Sequence, residues 1–243
     1  MQGAGKTLVC IPTYNEAENI TPLLRAVFSV APENLDVLVI DDNSPDGTAG
    51  RVEELQASEP WSSRVHLLKR SGKQGLGKAY LAGFDWALTR GFDYVVEMDA
   101  DFSHRPEDLV ELDRAVRMPG RDFAVGSRYV PGGRTVNWGL LRKLISRGGS
   151  LYSRLILGFP LNDWTGGFNA WSRQALEKMG LSEVQSNGYS FQIELKYRAL
   201  RRGQRGVEVP IVFEDRRVGQ SKMSGRIVLE ALHRVWRLRL SIQ

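Results

Sequence analysis

Along the first half of the chain, short apolar runs alternate with longer segments in which apolar positions recur every three or four residues. TLVCIP is followed by an amphipathic stretch bearing Ile20, Leu23, Leu24 and Val27; LDVLVI by GTAGRVEELQ; RVHLLK by GLGKAYLAGFDWAL; FDYVVEM by PEDLVELDRAV; and DFAVGS closes the series. Strand-length runs separated by helical periods predict βαβ units and a mostly parallel sheet covered on both faces, an α/β fold. The second half is patterned differently. Leu140 to Phe159 is apolar and basic with helical spacing and an expected interruption at Gly148-Gly149. Gly166-Gly167 predicts a tight turn, Tyr189 to Arg202 a helix ending at Gly203, and VEVPIVF a strand that Pro210 confines to a sheet edge. The last segment, RIVLEALHRVWRLRLSIQ, places Val228, Leu229, Leu232, Val235 and Trp236 on one face and arginines on the other. Such a helix suits either a membrane surface or packing on the core. The expected organisation is one large domain over residues 1–225 and an amphipathic helical arm over 226–243.

In open parallel sheets ligands bind beyond the carboxyl ends of the strands, and there the chain turns acidic. Pro12-Thr13-Tyr14-Asn15-Glu16 follows the first strand, Asp41-Asp42-Asn43-Ser44 the second, and Asp99-Ala100-Asp101 the fourth. Asn15 is placed to cap the following helix with Glu18 reaching back, and Ser44-Pro45-Asp46-Gly47 reads as a turn. Neither device explains Asp99 and Asp101, which repel each other with no cation between them. Carboxylates held close together are tolerated around a divalent cation, and an oxygen-only site with few protein ligands suits Mg²⁺ or Mn²⁺ carrying water and substrate phosphates. His104 is either a third ligand or an ordinary loop histidine.

Two phosphate-loop lookalikes fail. Gly5-Lys6-Thr7 lacks the upstream glycine and precedes the first strand, and GKQGLGK (72–78) is followed by Ala79 where a Ser or Thr would hold Mg²⁺. The glycines of the second are expected to let the chain turn closely past a nucleotide.

Charge separates the halves. Residues 1–122 carry 13 Lys/Arg against 20 Asp/Glu, a balance of −7, whereas 123–243 carry 20 against 8, a balance of +12. From Phe123 to Asn162 there is no acid at all, while Arg128, Arg134, Arg142, Lys143, Arg147 and Arg154 are present. The second half is thus expected to meet an anion. Interleaved Leu140, Leu141, Leu144, Ile145, Leu151 and Ile156 suit a lipid chain or membrane interface, and the segment is poor in the amides and aromatics that base readout favours, so no nucleic-acid partner is expected. With 42% hydrophobic residues the chain can bury a substantial core. No stretch approaches the roughly 18 to 20 apolar residues of a membrane span, and the N-terminal apolar run is too short for a signal peptide, which predicts a cytoplasmic protein. Its one cysteine, Cys10, lies in an apolar strand and is expected to be an inert core residue.

IPTYNE, IDDNSPDGT, GLGKAY, MDADFSH, GSRY and RKLISRG, followed by DWTGGF and DRRVGQSKM, resemble in order the dolichyl-phosphate (polyprenyl-phosphate) mannose synthases among the inverting family 2 glycosyltransferases of GT-A fold. The likeness runs from about Leu8 to Gly225. It implies a Rossmann-like GT-A domain that transfers mannose from GDP-mannose to a polyprenyl phosphate at the cytoplasmic membrane face with Mg²⁺ or Mn²⁺. It further implies that Pro12, Tyr14, Glu16, Ile40 and Asp42 hold the nucleoside, and that Asp99, Ala100 and Asp101 hold the ribose side and the metal-bound diphosphate. Asp99 and Asp101 would be the metal ligands, Asp101 the principal one. Arg128, Arg216 and Lys222 would contact donor or acceptor phosphate, and Arg142 and Ser146 would line the acceptor site. Asp101, Arg128 and Arg142 are thereby the implied catalytic groups. Some archaeal relatives have Gln in place of Ser103, and some append transmembrane helices. Without such helices, peripheral attachment to an anionic membrane, alone or through a separate anchoring subunit, is implied.

The residues support this mechanism on one independent point. A polyprenyl phosphate oxygen is already anionic at neutral pH and needs no general base, so the task is to screen an anionic nucleophile from an anionic diphosphate. Three alternatives remain open: a UDP-sugar donor with the same acceptor, transfer to a glycan hydroxyl (although no Q-x-x-R-W block is present), and a binding module for nucleic acid or anionic membrane.

Overall fold

The computed structural model describes residues 5–215 and 225–242. Nine strands are present among them: β1 (Thr7–Thr13), β2 (Leu35–Asp41), β3 (Val65–Lys69), β4 (Tyr94–Glu97), β5 (Phe123–Ser127), β6 (Arg134–Val136), β7 (Asn169–Ser172), β8 (Gly206–Pro210) and β9 (Val212–Glu214). The helices are α1 (Ala17–Val30), α2 (Thr48–Ser58), α3 (Leu76–Thr89), α4 (Pro106–Val116), α5 (Leu140–Leu157), α6 (Arg173–Met179), α7 (Tyr189–Arg201) and α8 (Gly225–Ser241). Seven strands form one sheet in the order β3-β2-β1-β4-β7-β5-β8, and β6 pairs with β9 in a second, two-stranded sheet. Only β7 runs antiparallel to its neighbours in the large sheet, so the α/β, mostly parallel GT-A-type expectation holds.

Successive strand residues face opposite sides of the sheet, and the core divides accordingly. Leu8, Cys10, Leu38 and Ile40 join α3, α6 and α7 in one apolar layer. Val9, Ile11, Val37 and Val39 join α1, α2 and α4 in the other. Cys10 is fully buried and its thiol is pushed far up, chiefly by burial, so it is inert. Gly83 lets α3 pack closely across β1 and β2, where a Cβ would sit 2.6 Å from Ile40 Cδ1 and force that side chain to shift.

Three details depart from expectation. β7, short and inserted between β4 and β5, carries too few residues to announce itself. Next, α5 runs unbroken through Gly148-Gly149; a Cβ on Gly149 would make only ordinary contact with Thr165 at 3.7 Å, so the helix closes there on its own hydrogen bonds without strain. The third lies at GKQGLGK, whose glycines pass closely by Asn187, a neighbour that the sequence did not announce. Gly75 has φ +101° and a Cβ there would collide with the Asn187 side-chain amide, while the Gly77 N–H donates to Asn187 Oδ1 at 3.0 Å.

Pro210 ends β8 on the sheet edge, as the chain crosses to β9. Val235 and Leu238 of α8 are buried in the core layer shared with α3 and α7, whereas Trp236 is 49% and Leu240 74% exposed. One side of the arm thus packs on the domain and another faces solvent. No helix among the described residues is long and apolar enough to cross a membrane.

Candidate active site

The sheet changes its winding direction at β1, which lies between β2 and β4. A crevice beyond such a point is where open α/β sheets take ligands. Pro12 pairs with Ile40 and Thr13 with Asp41, and Cys10 pairs with Glu97, so residues 14–16, 41–42 and 99–101 share one edge. Pro12 is half-buried there and Tyr14 is 37% exposed, with Lys73 Nζ 4.0 Å over its ring. The Ile40 side chain is fully buried in the core, which leaves only its backbone to meet a ligand. Asp42 is buried and held by Arg70 Nη1 at 2.6 Å, a partner that sequence reading missed because it arrives from beyond β3.

The entry to α1 is not capped by Asn15. That residue has φ 62°, and the helix is capped from the neighbouring loop instead. Ala17 N–H donates to Asp46 Oδ2 at 3.0 Å, Glu16 N–H to Thr48 Oγ1 at 3.0 Å, and Asn15 N–H to Ser44 Oγ at 3.1 Å. Burial opposes the charge on Asp46, but hydrogen bonds from Thr48 and Ala17 outweigh it and hold the carboxyl below its ordinary value. Glu16 faces Asn19, whose Nδ2 donates to Oε2 at 2.8 Å.

The turn after β4 is tied down by its own neighbours. Asp99 N–H donates to His104 Nδ1 at 3.0 Å, and Ser103 N–H to Asp101 Oδ1 at 3.0 Å. His104 is buried, stacked on Phe168 with ring centroids 4.5 Å apart and edge-on to Phe213 at 5.3 Å. Burial, more than any neighbour, pushes its pKa down to about 4, so the ring is neutral with Nδ1 accepting. Its visible role is to pin the turn, not to complete a metal triad. Ala100 is buried, leaving Asp99 and Asp101 as the half-buried carboxylates of the turn. The Tyr80 hydroxyl donates to Asp99 Oδ1 at 3.4 Å, a long bond.

No cluster of three or more His, Cys, Asp or Glu able to hold a metal occurs among the described residues. Two carboxylates with oxygen donors only fit a cation that draws its remaining ligands from water and phosphate, as Mg²⁺ and Mn²⁺ do. The buried Ser103 Oγ has no hydrogen-bond partner among the described residues, which places one more unspent oxygen beside that turn.

Opposite charge gathers around α5, but two of the arginines named from sequence, Arg128 and Arg142, come with carboxylate partners. Arg128 is nearly inaccessible: Nε and Nη2 meet the two oxygens of Asp163 at 2.7 Å each, and Nη2 also reaches Thr165 Oγ1 at 2.9 Å. Burial raises the Asp163 carboxyl, yet Arg128 outweighs it and lowers the pKa below the ordinary value. The loop carrying Asp163 is held by Lys196, whose Nζ donates to the carbonyls of Asp163, Trp164 and Gly166 at 3.1, 3.2 and 2.7 Å. Arg142 stacks on Trp138 at 4.0 Å and pairs with Asp215 at 2.6 Å. Ser146, one turn further along α5, accepts from Tyr129 Oη at 2.7 Å. Arg216 and Lys222 lie outside the described residues.

α5 itself is inverted. It buries Ser146, Ser150, Ser153 and Leu157 and turns outward Leu140, Leu141, Leu144, Leu151 and Leu155, each 55–80% exposed. Lys143, Arg147 and Arg154 stand exposed among them. Helices of water-soluble domains put leucines inside and serines outside, so this face is built to meet something apolar.

A switch-point crevice edged with paired aspartates, on a Rossmann-like sheet, defines a domain for nucleotide-linked group transfer. The profile described as Glycosyl transferase family 2 matches residues 8–180, and the chain belongs to that family of enzymes. It is 50% identical over 236 residues to the polyprenol monophosphomannose synthase of Mycolicibacterium smegmatis, covering 96% of this chain and 88% of that protein. The undecaprenyl-phosphate mannosyltransferase of Micrococcus luteus is 49% identical, with 96% and 93% covered. Among solved structures, glucosyl-3-phosphoglycerate synthase from Mycobacterium tuberculosis with Mn²⁺, UDP and phosphoglyceric acid superposes with TM-score 0.70 at 18% identity, covering 100% of this chain and 81% of that one. A Pyrobaculum calidifontis mannosyltransferase with GDP-Man and Mn²⁺ gives 0.61 at 18%, covering 99% and 74%. The family and fold implied by the sequence motifs are therefore borne out.

Proposed function

We propose that the protein transfers mannose, with inversion, from GDP-mannose to a polyprenyl phosphate at the cytoplasmic face of a membrane. The observation that carries this reading is the inverted helix α5. One helix presents Arg142 and Ser146 toward the domain and a leucine stripe with lysine and arginine outward, which suits an acceptor with an anionic head and a long apolar tail. The two relatives near 50% identity, both named for mannosyl transfer to polyprenyl phosphates, support the same acceptor. The donor is argued from those names together with the fold relative bound to GDP-Man.

In this reading Pro12, Tyr14, Glu16, Asp42 and the Ile40 backbone bind the nucleoside, and Asp99 and Asp101 hold a divalent cation. Such a cation, Mg²⁺ or Mn²⁺, supplies charge compensation for the departing diphosphate. The phosphate oxygen of the acceptor attacks C1 of mannose, and the bond from C1 to the GDP oxygen breaks. No proton moves, which accounts for a site arranged around charge rather than around a base. Arg142 is the acceptor cation, while Arg128, clamped by Asp163, fixes the wall between the two sides. Arg216 and Lys222 are assigned to the phosphates on the motif resemblance alone. Attachment to an anionic membrane proceeds through α5 and the exposed side of α8, with or without an anchoring subunit.

A donor panel tests the proposal. Purified protein with polyprenyl phosphate in anionic vesicles should consume GDP-mannose and form a lipid-linked mannosyl phosphate. Turnover of UDP-glucose or a UDP-N-acetylhexosamine with GDP-mannose inert would overturn the donor assignment, and transfer to a free glycan without lipid phosphate would overturn the acceptor.

A further inference from the structure

Arg142 already holds an anion. Its Nη1 lies 2.6 Å from Asp215 Oδ1, with the two side chains 22% and 38% exposed, and its guanidinium rests on the Trp138 indole at 4.0 Å. The two-stranded sheet delivers both partners. Val136 of β6 pairs with Glu214 of β9, Trp138 follows two residues after the first strand and Asp215 one residue after the second. Stacking fixes the plane of the guanidinium, and the fork so presented accepts a carboxylate and a phosphate in the same geometry. A half-exposed pair of this kind contributes little to stability, so an incoming anion can displace it. The same indole leaves its buried Nε1–H without a hydrogen-bond partner among the described residues, a second donor beside the pair.

We infer that Asp215 is a specificity-determining residue that occupies the acceptor-phosphate seat on Arg142 and exchanges with the acceptor and then with the product. The inference rests on the acceptor role proposed for Arg142. A phosphate monoester arrives largely as a dianion at neutral pH and leaves, once glycosylated, as a phosphodiester monoanion. The resident carboxylate handicaps both by the same factor, so the dianion, which the guanidinium holds more tightly, still takes the seat while the monoanion leaves readily. A neutral hydroxyl acceptor has no charge with which to displace it.

The test is a double-mutant cycle on acceptor kinetics in polyprenyl phosphate vesicles, with product inhibition measured alongside. Arg142→Ala should raise the acceptor KM about tenfold or more. Asp215→Asn and Asp215→Ala should each lower it about two- to fivefold, should lower the product inhibition constant by a similar factor, and should do neither in the Arg142→Ala background. If Arg142→Ala leaves the acceptor KM unchanged, the acceptor reading itself fails and takes this inference with it. If Arg142→Ala raises KM while the Asp215 variants leave both constants unmoved or raise them, the exchange is wrong and Asp215 merely positions Arg142. Persistence of the Asp215 effect without Arg142 overturns it as well.

Discussion

The acidic edge and the cationic flank of this site are built in opposite ways. At the edge, Asp99 and Asp101 are arranged by contacts a few residues away: His104 takes the Asp99 amide and Asp101 takes the Ser103 amide. On the flank, two arginines are met by carboxylates from far along the chain, Arg128 by Asp163 35 residues on and Arg142 by Asp215 73 residues on. Neutral donors are among those that orient the edge's carboxylates: Tyr80 Oη for Asp99 and the Ser103 amide for Asp101. On the flank these two cations are held in place by carboxylates, Arg128 in a buried pair and Arg142 in a partly exposed one. A site that must hold two anions side by side gains from this asymmetry, because unpaired arginines facing an acidic crevice would be drawn into it.

The sharpest way to break the comparison is at the edge. Asp101→Asn should lower turnover roughly a thousandfold or more while thermal unfolding is unchanged, and Mn²⁺ binding, followed by the ion's paramagnetic resonance, should weaken in parallel. Retained turnover would show that the cation, or the reaction, lies elsewhere.

On the flank the largest effect should fall on stability. Asp163→Asn strands Arg128 in a buried position, and breaking a buried pair from one side costs about 3–5 kcal/mol. Because the Asp163 carboxyl is lowered in the folded protein, its contribution is complete above its unfolded value of 3.8 and is lost as pH falls through the lower folded value. Denaturant midpoints of wild type and Asp163→Asn should thus differ by a constant amount near neutrality and converge only in strong acid.

The same asymmetry explains what could be read from the chain. The five helix-separated strands and the acidic strand ends follow from local period and from the residues just past each run, and they stand where expected. Long-range partners do not announce themselves. Asp163 sits in a quoted motif, DWTGGF, yet nothing local says that it meets Arg128. The acid-free stretch from Phe123 to Asn162 suggested free cations, and the structure brings carboxylates to two of them from outside that stretch. α5 carried its message in plain composition, but periodicity gives the two faces of a helix without saying which is buried. Serines inside and leucines outside emerged only with the fold.

That exposed face sharpens the contrast further, since its leucines are 55–80% exposed and should be separable from folding. Leu144→Asp and Leu151→Asp should change thermal stability by no more than about 0.5 kcal/mol. Each should weaken binding to anionic polyprenyl phosphate vesicles about tenfold, the loss of one leucine's transfer into an apolar phase. Water-soluble short-chain acceptors should be used as before, which distinguishes a membrane contact from damage to the site. Equal losses on both acceptors would place the leucines in the acceptor pocket instead.

The smallest effect concerns the nucleotide side. Asp46 caps α1 from a different loop, and with Thr48 and Ser44 it joins the segments that follow β1 and β2. Removing a cap carboxylate costs about 1 kcal/mol, so Asp46→Ala should lower the unfolding free energy by that amount and leave the lipid side untouched. Because Tyr14 and Glu16 ride on the capped turn, the same variant should also weaken GDP binding about twofold in titration calorimetry. Asp46→Asn keeps an acceptor oxygen and loses only the charge at the helix start, worth about 0.3–1 kcal/mol, and should fall between wild type and Asp46→Ala. Were Asp46→Ala to reduce stability without touching GDP affinity, the cap would be a property of the fold alone, and the acidic edge would be less unified than the shared hydrogen bonds imply.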